Sequence, residues 1–192
     1  MRTFKLSLIA AALLLASQAQ AAVTTLTFDD VPGANPGTNL NALGNYGGFT
    51  WDNTYALHQS YHPGSGYDRG AVSGEWVAYT AYANPISFSA GNAFDFYGGY
   101  FTSAWDSSLT VKIAGFRNGV EIYSQDIVLN NQYPQLFGLN FRGVDKVSFT
   151  SLGQHVAFDN LQVTTPVPEP ETYALMGLGL VGLMAARRRK AK

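Results

Sequence analysis

The chain has no cysteine among its 192 residues, which removes disulfides, thiolate zinc sites and thiol catalysis in one step. It also lacks the short motifs that mark common catalytic centres: no Gly-x-Ser-x-Gly elbow, no His-Glu-x-x-His pair, no phosphate loop. The run from Gly64 to Gly70 has the wrong glycine spacing for a dinucleotide fingerprint. Only three histidines are present. His58, His62 and His155 together with Asp68 or Glu75 supply material for acid–base work, which needs only two positioned groups, but nothing in their spacing forces a site. Sustained helical periodicity is missing from the middle of the chain.

What the sequence does have is concentrated first at its two ends. Arg2 and Lys5 precede the apolar run from Leu6 to Ala16, and Ala19-Gln20-Ala21 offers the small residues that signal peptidase reads. Residues 1–21 are therefore expected to be a secretory signal peptide cut after Ala21. At the other end Val167-Pro168-Glu169-Pro170 leads into an uncharged apolar segment, Tyr173 to Ala186, and then into Arg187-Arg188-Arg189-Lys190. The prolines fix their own φ and push their neighbours toward extended geometry, which makes a spacer that a processing enzyme can grip. As a helix rising about 1.5 Å per residue, the apolar segment would reach roughly 21 Å, short of the roughly 30 Å hydrocarbon core. Snorkelling by Arg187 recovers part of the difference. This predicts a marginal, temporary anchor in the inner membrane, with basic tail 187–192 held on the cytoplasmic side.

The tail resembles the PEP-CTERM sorting signal of Gram-negative bacteria, with Val167, Pro168, Glu169, Pro170, the 173–186 segment and Arg187, Arg188 and Arg189 in the matching places. That resemblance implies recognition and cutting by an exosortase, in bacteria that make extracellular polysaccharide and a biofilm or floc matrix.

Between the ends, residues 22–165 have the length of one domain. Eleven Asp and Glu against five Lys and Arg leave a charge of minus six there, masked in the whole-chain value of −1 by the basic ends. An acidic domain repels nucleic acid, which drops out as a partner. Leu109 to Ile113 alternates apolar and polar residues, and Asn118-Gly119 followed by Val120 to Leu129 predicts a hairpin. Further strands are expected over 24–28, 48–51, 75–79, 86–88, 93–97, 136–141, 146–150 and 156–164, while the Gly-, Asn- and Tyr-rich stretch 35–70 predicts surface loops. About ten short strands argue for an all-β domain, an antiparallel β-sandwich of jelly-roll type. The pattern from Phe94 through Trp105 and Asn118-Gly119 to Leu161 resembles a sandwich domain of secreted bacterial proteins, similar in style to carbohydrate-binding jelly rolls.

Two groups of residues could carry chemistry. In a jelly roll the first and last strands are neighbours, which would bring Asp29 and Asp30 beside Asp159 and Asn160. Those oxygens suit calcium, and sandwiches of the type resembled often hold a structural calcium at that seam. The same residue types also cap turns and strand ends, and the sequence leaves both roles open. The second group is aromatic. Rings stack on the apolar faces of sugars while polar neighbours bond the hydroxyls, and the loop residues Trp51, Tyr55, Tyr61 and Tyr67 are the candidates for a glycan platform, with Trp76 and Trp105 assigned to the core. The function expected is that of an exported cell-surface or matrix protein with a non-catalytic, structural or adhesive role beside exopolysaccharide. A carbohydrate-binding module and a polysaccharide-degrading enzyme are the alternatives.

Overall fold

Glycine and asparagine decide where this chain turns back and where it merely bends. In the computed structural model, which describes residues 22–33 and 37–164 together with Gly177 and Gly179, Asn118 (φ 51°) and Gly119 (φ 77°) both occupy the left-handed region. That is what a two-residue turn matched to strand twist requires. They join β7 (Leu109–Arg117) to β8 (Val120–Leu129) in the predicted hairpin, with Leu109 opposite Leu129.

Elsewhere the same residue types bend a strand without ending it. The expected strands 86–88 and 93–97 are parts of one strand, β6 (Ile86–Ser103), and 136–141 and 146–150 are parts of β9 (Gln135–Thr150). The pairing of β6 with β9 shifts register between Ser89 and Phe94 and again on either side of Phe96. Gly98 (φ 124°) and Gly143 (φ 64°) take conformations in these strands that a side chain would resist. Such bulges curve a strand while the ladder continues.

The remaining strands are β1 (Val23–Leu26), β2 (Thr38–Asn39), β3 (Thr50–Asp52), β4 (Thr54–His58), β5 (Trp76–Thr80) and β10 (Val156–Thr164). β2 and β4 lie in the stretch expected to be loops, as does a five-residue helix, α1 (Gly66–Gly70). All pairings are antiparallel, in the order β2-β4-β5-β10-β6-β9-β7-β8, with β1 added to β10 and β3 to β6. First and last strands are neighbours, Leu26 opposite Leu161.

The sheet folds over a core of phenylalanines as a β-sandwich. Phe28, Phe49, Phe88, Phe96, Phe101, Phe149 and Phe158 are all fully buried there. Their rings meet edge to face, as with Phe49 on Phe88 at 5.4 Å and Phe149 on Phe158 at 5.2 Å, the arrangement that aromatic quadrupoles favour. Residues 22–166 make one compact unit. The expected signal peptide, the Val167–Pro170 segment and the basic tail lie outside the described residues, as does the 173–186 segment apart from Gly177 and Gly179, which are helical. Among the described residues no helix is long and apolar enough to cross a membrane.

Candidate functional site: an aromatic cleft on the outer sheet face

Strand alternation gives β4, β5 and β10 two different faces. Ala56, Ala78 and Phe158 point into the main core, while Leu57, Val77 and Ala157 join a second, smaller cluster with Tyr67 and Ala104. The excursion between β4 and β5, carrying a 3-10 turn (Gln59–Tyr61) and α1, packs onto this second face. Ser65 caps α1, accepting from Tyr67 N at 3.1 Å while donating to His62 O at 2.6 Å. Gly66 N donates to Ala104 O at 2.9 Å, and a Cβ at Gly66 would collide with Ser103 O. Glycine is therefore what lets the helix lie against the end of β6.

The excursion leaves a cleft of about 480 Å³. Tyr55, Leu57 and Tyr79 come from the sheet, Tyr61, His62 and Tyr67 from the excursion, and Tyr82, Trp105 and His155 from adjoining turns. Cross-strand register places Tyr55 opposite Tyr79. Burial and the nearby Tyr79 push the Tyr67 phenol well above its ordinary range. Tyr79 is raised by burial and then by its tyrosine neighbours, and Tyr55 by its hydrogen bond with Tyr82 and then by burial. The phenols thus stay neutral hydroxyls, able to donate and accept. His155 Nδ1 lies 3.0 Å from Thr80 O, and a carbonyl can only accept, so Nδ1 carries the proton and a neutral ring keeps a lone pair on Nε2. Among the described residues no Asp, Glu, Lys or Arg lines the cleft.

Of the predicted platform, Tyr55, Tyr61 and Tyr67 are in this cleft and Trp51 is not. Trp51 sits on β3 with only 2% of its surface exposed, stacked on Phe88 at 5.0 Å and bonded through Nε1 to Tyr46 O. Its neighbours place it on the inward face of a strand pairing with β6. Trp105, assigned to the core from sequence, is 50% exposed at the cleft. The two tryptophans exchange roles because Trp105 follows the end of β6, where the ladder no longer dictates an inward face.

Ionisable residues do not assemble into an acid–base pair in the cleft. His58 Nε2 meets Glu75 Oε2 at 3.3 Å on the surface, and Asp68 Oδ2 accepts from Gly64 N at 2.8 Å. His62 packs among Tyr61, Tyr67 and Trp105.

The seam of first and last strands carries a different structure. Asp159, fully buried, accepts at Oδ2 from Val72 N (2.7 Å) and Ser73 N (3.0 Å), and at Oδ1 from Asn160 N (2.6 Å). Asp29 Oδ1 accepts from Glu75 N (3.0 Å) and Trp76 N (3.2 Å), and Ser73 Oγ lies within donor range of both Asp29 Oδ2 and Asn160 Oδ1. Asp30 turns away, accepting at Oδ1 from the Tyr46 hydroxyl at 2.7 Å. Three of the four predicted ligands therefore converge, but their oxygens face N–H and O–H donors. A cation there would have to displace those donors, and among the described residues no group of three or more acidic or histidine side chains is placed to hold a metal. The arrangement is a clasp on the 72–76 turn, where the cleft-forming excursion returns to the sheet.

These features define a β-sandwich with an aromatic cleft whose lining, among the described residues, holds no Asp, Glu, Lys or Arg. Residues 166–190 match the PEP-CTERM protein-sorting motif, so the chain carries the signal of an exported, exosortase-sorted protein. No curated protein matches it in sequence. Among solved structures it is similar to a xylan-binding CBM22-1 domain from Paenibacillus barcinonensis, at 13% identity over 79% of this chain and 100% of that one, with a TM-score of 0.45. A C-terminal family 22 carbohydrate binding module of a Clostridium thermocellum xylanase matches at 16% identity over 79% and 99%, TM-score 0.40. An exo-β-agarase matches at 12% over 78% of this chain but only 26% of that enzyme, TM-score 0.46. Nothing about a ligand follows from likeness at this level.

Proposed function

We propose that the protein is an exported, non-catalytic glycan-binding module that the sorting tail holds briefly in the inner membrane, C-terminus in the cytoplasm, before release to the cell surface or extracellular matrix. Its role there is adhesive, tying the cell envelope to exopolysaccharide. The observation that carries this is the cleft: neutral tyrosine hydroxyls and two imidazoles set among ring faces, the mixture that stacks on sugar rings while bonding their hydroxyls. The sorting motif supports the location. The His58–Glu75 pair and Asp68 lie outside the cleft lining, which supports binding without cleavage.

The test is retention of the exported protein on insoluble polysaccharides, alongside release of reducing sugar from the same material. Retention without release is expected, and Trp105→Ala should weaken it. Absence of retention on every polysaccharide overturns the proposal, and sugar release that persists in purified protein replaces it with an enzyme.

A further inference from the structure

The rings of the cleft are in sequence, each touching the next. Tyr82 and Tyr55 have centroids 6.2 Å apart, Tyr55 and Tyr79 6.0 Å, Tyr79 and Tyr67 5.3 Å, and Tyr67 and Trp105 5.6 Å. Tyr82 at one end is 76% exposed and Trp105 at the other 50%, while Tyr67 between them is 3% exposed. The track is thus backed in its middle by the buried Tyr67, with Tyr55 and Tyr79 half-buried beside it, and open at both termini. A pocket for a single sugar, or for a chain end, would close at one of them.

Tyr82 has a second peculiarity. It and Ala83 lie in the left-handed backbone region, φ 53° and 55°, unfavourable for a bulky side chain. The turn is held there by Asn53, whose Nδ2 donates to Ala81 O (3.0 Å) and Pro85 O (3.2 Å) and whose carbonyl accepts from Ala81 N (3.0 Å). The exposed ring gains little from packing in return. Strain of this kind, kept by the surroundings, points to a side chain presented for contact.

The third observation is charge. Among the described residues no Asp, Glu, Lys or Arg lines the cleft, whose titratable bases are the imidazoles of His62 and His155, and the domain around it carries a net of minus six, eleven acids against five bases. A polyuronate would meet no counter-cation and a repelling field, and an amino-sugar polymer would find no carboxylate in the cleft.

We infer that the cleft takes an internal stretch of a linear, uncharged glycan, laid along the accessible rings with Tyr67 buried beneath them, so that the chain leaves past Tyr82 at one end and Trp105 at the other. This rests on the glycan-binding reading above and adds to it the charge class of the ligand and the mode of binding.

Titration of the exported protein with oligosaccharides of one to six units from laminarin, xylan and galactan tests it, with alginate, polygalacturonate and chitosan as charged counterparts. For the neutral series that binds, affinity should rise by about tenfold or more from the monosaccharide to the longest member, and 0.5 M NaCl should leave it unchanged. Trp105→Ala and Tyr82→Asn, the latter chosen because Asn tolerates left-handed backbone, should each remove most of that gain, bringing the longest member close to the monosaccharide's affinity. Their exposure predicts melting temperatures near that of the parent, and this is measured in parallel. Equal affinity for monosaccharide and hexasaccharide, or preferred, salt-sensitive binding of a charged polymer, overturns this inference and leaves the glycan-binding reading standing. Binding of none of these glycans overturns both, as does capture of a proline-rich peptide in their place.

Discussion

Asp159 on the last strand grips Ser73 from 86 positions away in sequence, its carboxylate accepting the Ser73 backbone N–H at 3.0 Å with no water-exposed surface of its own. The bond ties the end of the cleft-forming excursion to the centre of the sandwich. Burial opposes ionisation there more strongly than the three N–H donors favour it, and Asp29 adds to the effect, so the carboxyl is pushed up to about 6.

Between the unfolded value near 4 and about 6 the native state holds this proton more tightly than the unfolded chain, so the contribution of Asp159 to stability is fully present below pH 4 and lost as pH rises to 6. Urea unfolding at pH 4, 5 and 7 should show a loss on the order of 2 kcal/mol across that window which Asp159→Asn does not show. Parallel slopes in parent and variant would assign the titration elsewhere. Asp159→Ala, which strands three N–H donors, should cost about 3 kcal/mol at pH 4 and less at pH 7, where the parent has lost the stabilisation that comes with the Asp159 proton.

Calcium is the second lever on this seam. With its oxygens already facing N–H and O–H donors, the clasp should melt at the same temperature with excess calcium as with chelator. A calcium-dependent rise of several degrees would mean that Asp29, Asp159 and Asn160 rearrange around a cation.

The two tryptophans should separate stability from binding. Trp51→Ala opens a cavity against Phe88 and Phe158 and is expected to cost about 3–5 kcal/mol. Trp105→Ala should stay within about 1 kcal/mol of the parent while lowering retention on polysaccharide. Denaturant midpoints and pull-down measured on the same samples distinguish the two; a stable Trp51→Ala would contradict its place in the core.

Gly66→Ala should act through the excursion. The added methyl would meet Ser103 O, so α1 must lift from β6, carrying Tyr67 out of the ring track. Hydrogen exchange over residues 59–75 should accelerate relative to the strands, with binding reduced.

Several of these features were legible in the chain itself. The 118–119 hairpin was, because two consecutive left-handed residues almost demand Asn-Gly, and so was the adjacency of Asp29 to Asp159, because it needs only that first and last strands pair. The strand breaks expected near 90 and 143 were misplaced, since a glycine that bulges a ladder and one that ends it look alike until the partner strand is known. β2 and β4 hid in a stretch whose Gly, Asn and Tyr content imitates loops, for their pairing comes from neighbours rather than from local pattern.

What the sequence determined by itself was the sorting tail and the class: a PEP-CTERM motif at residues 166–190 and an all-β domain before it, set by local composition and period-two alternation. The tertiary structure alone decided which aromatics are wall and which are core. That choice depends on the face each strand turns inward, on the α1 excursion folding back over the outer sheet, and on a clasp whose partners lie 44 and 86 residues apart. Local propensity carries no information about such distances.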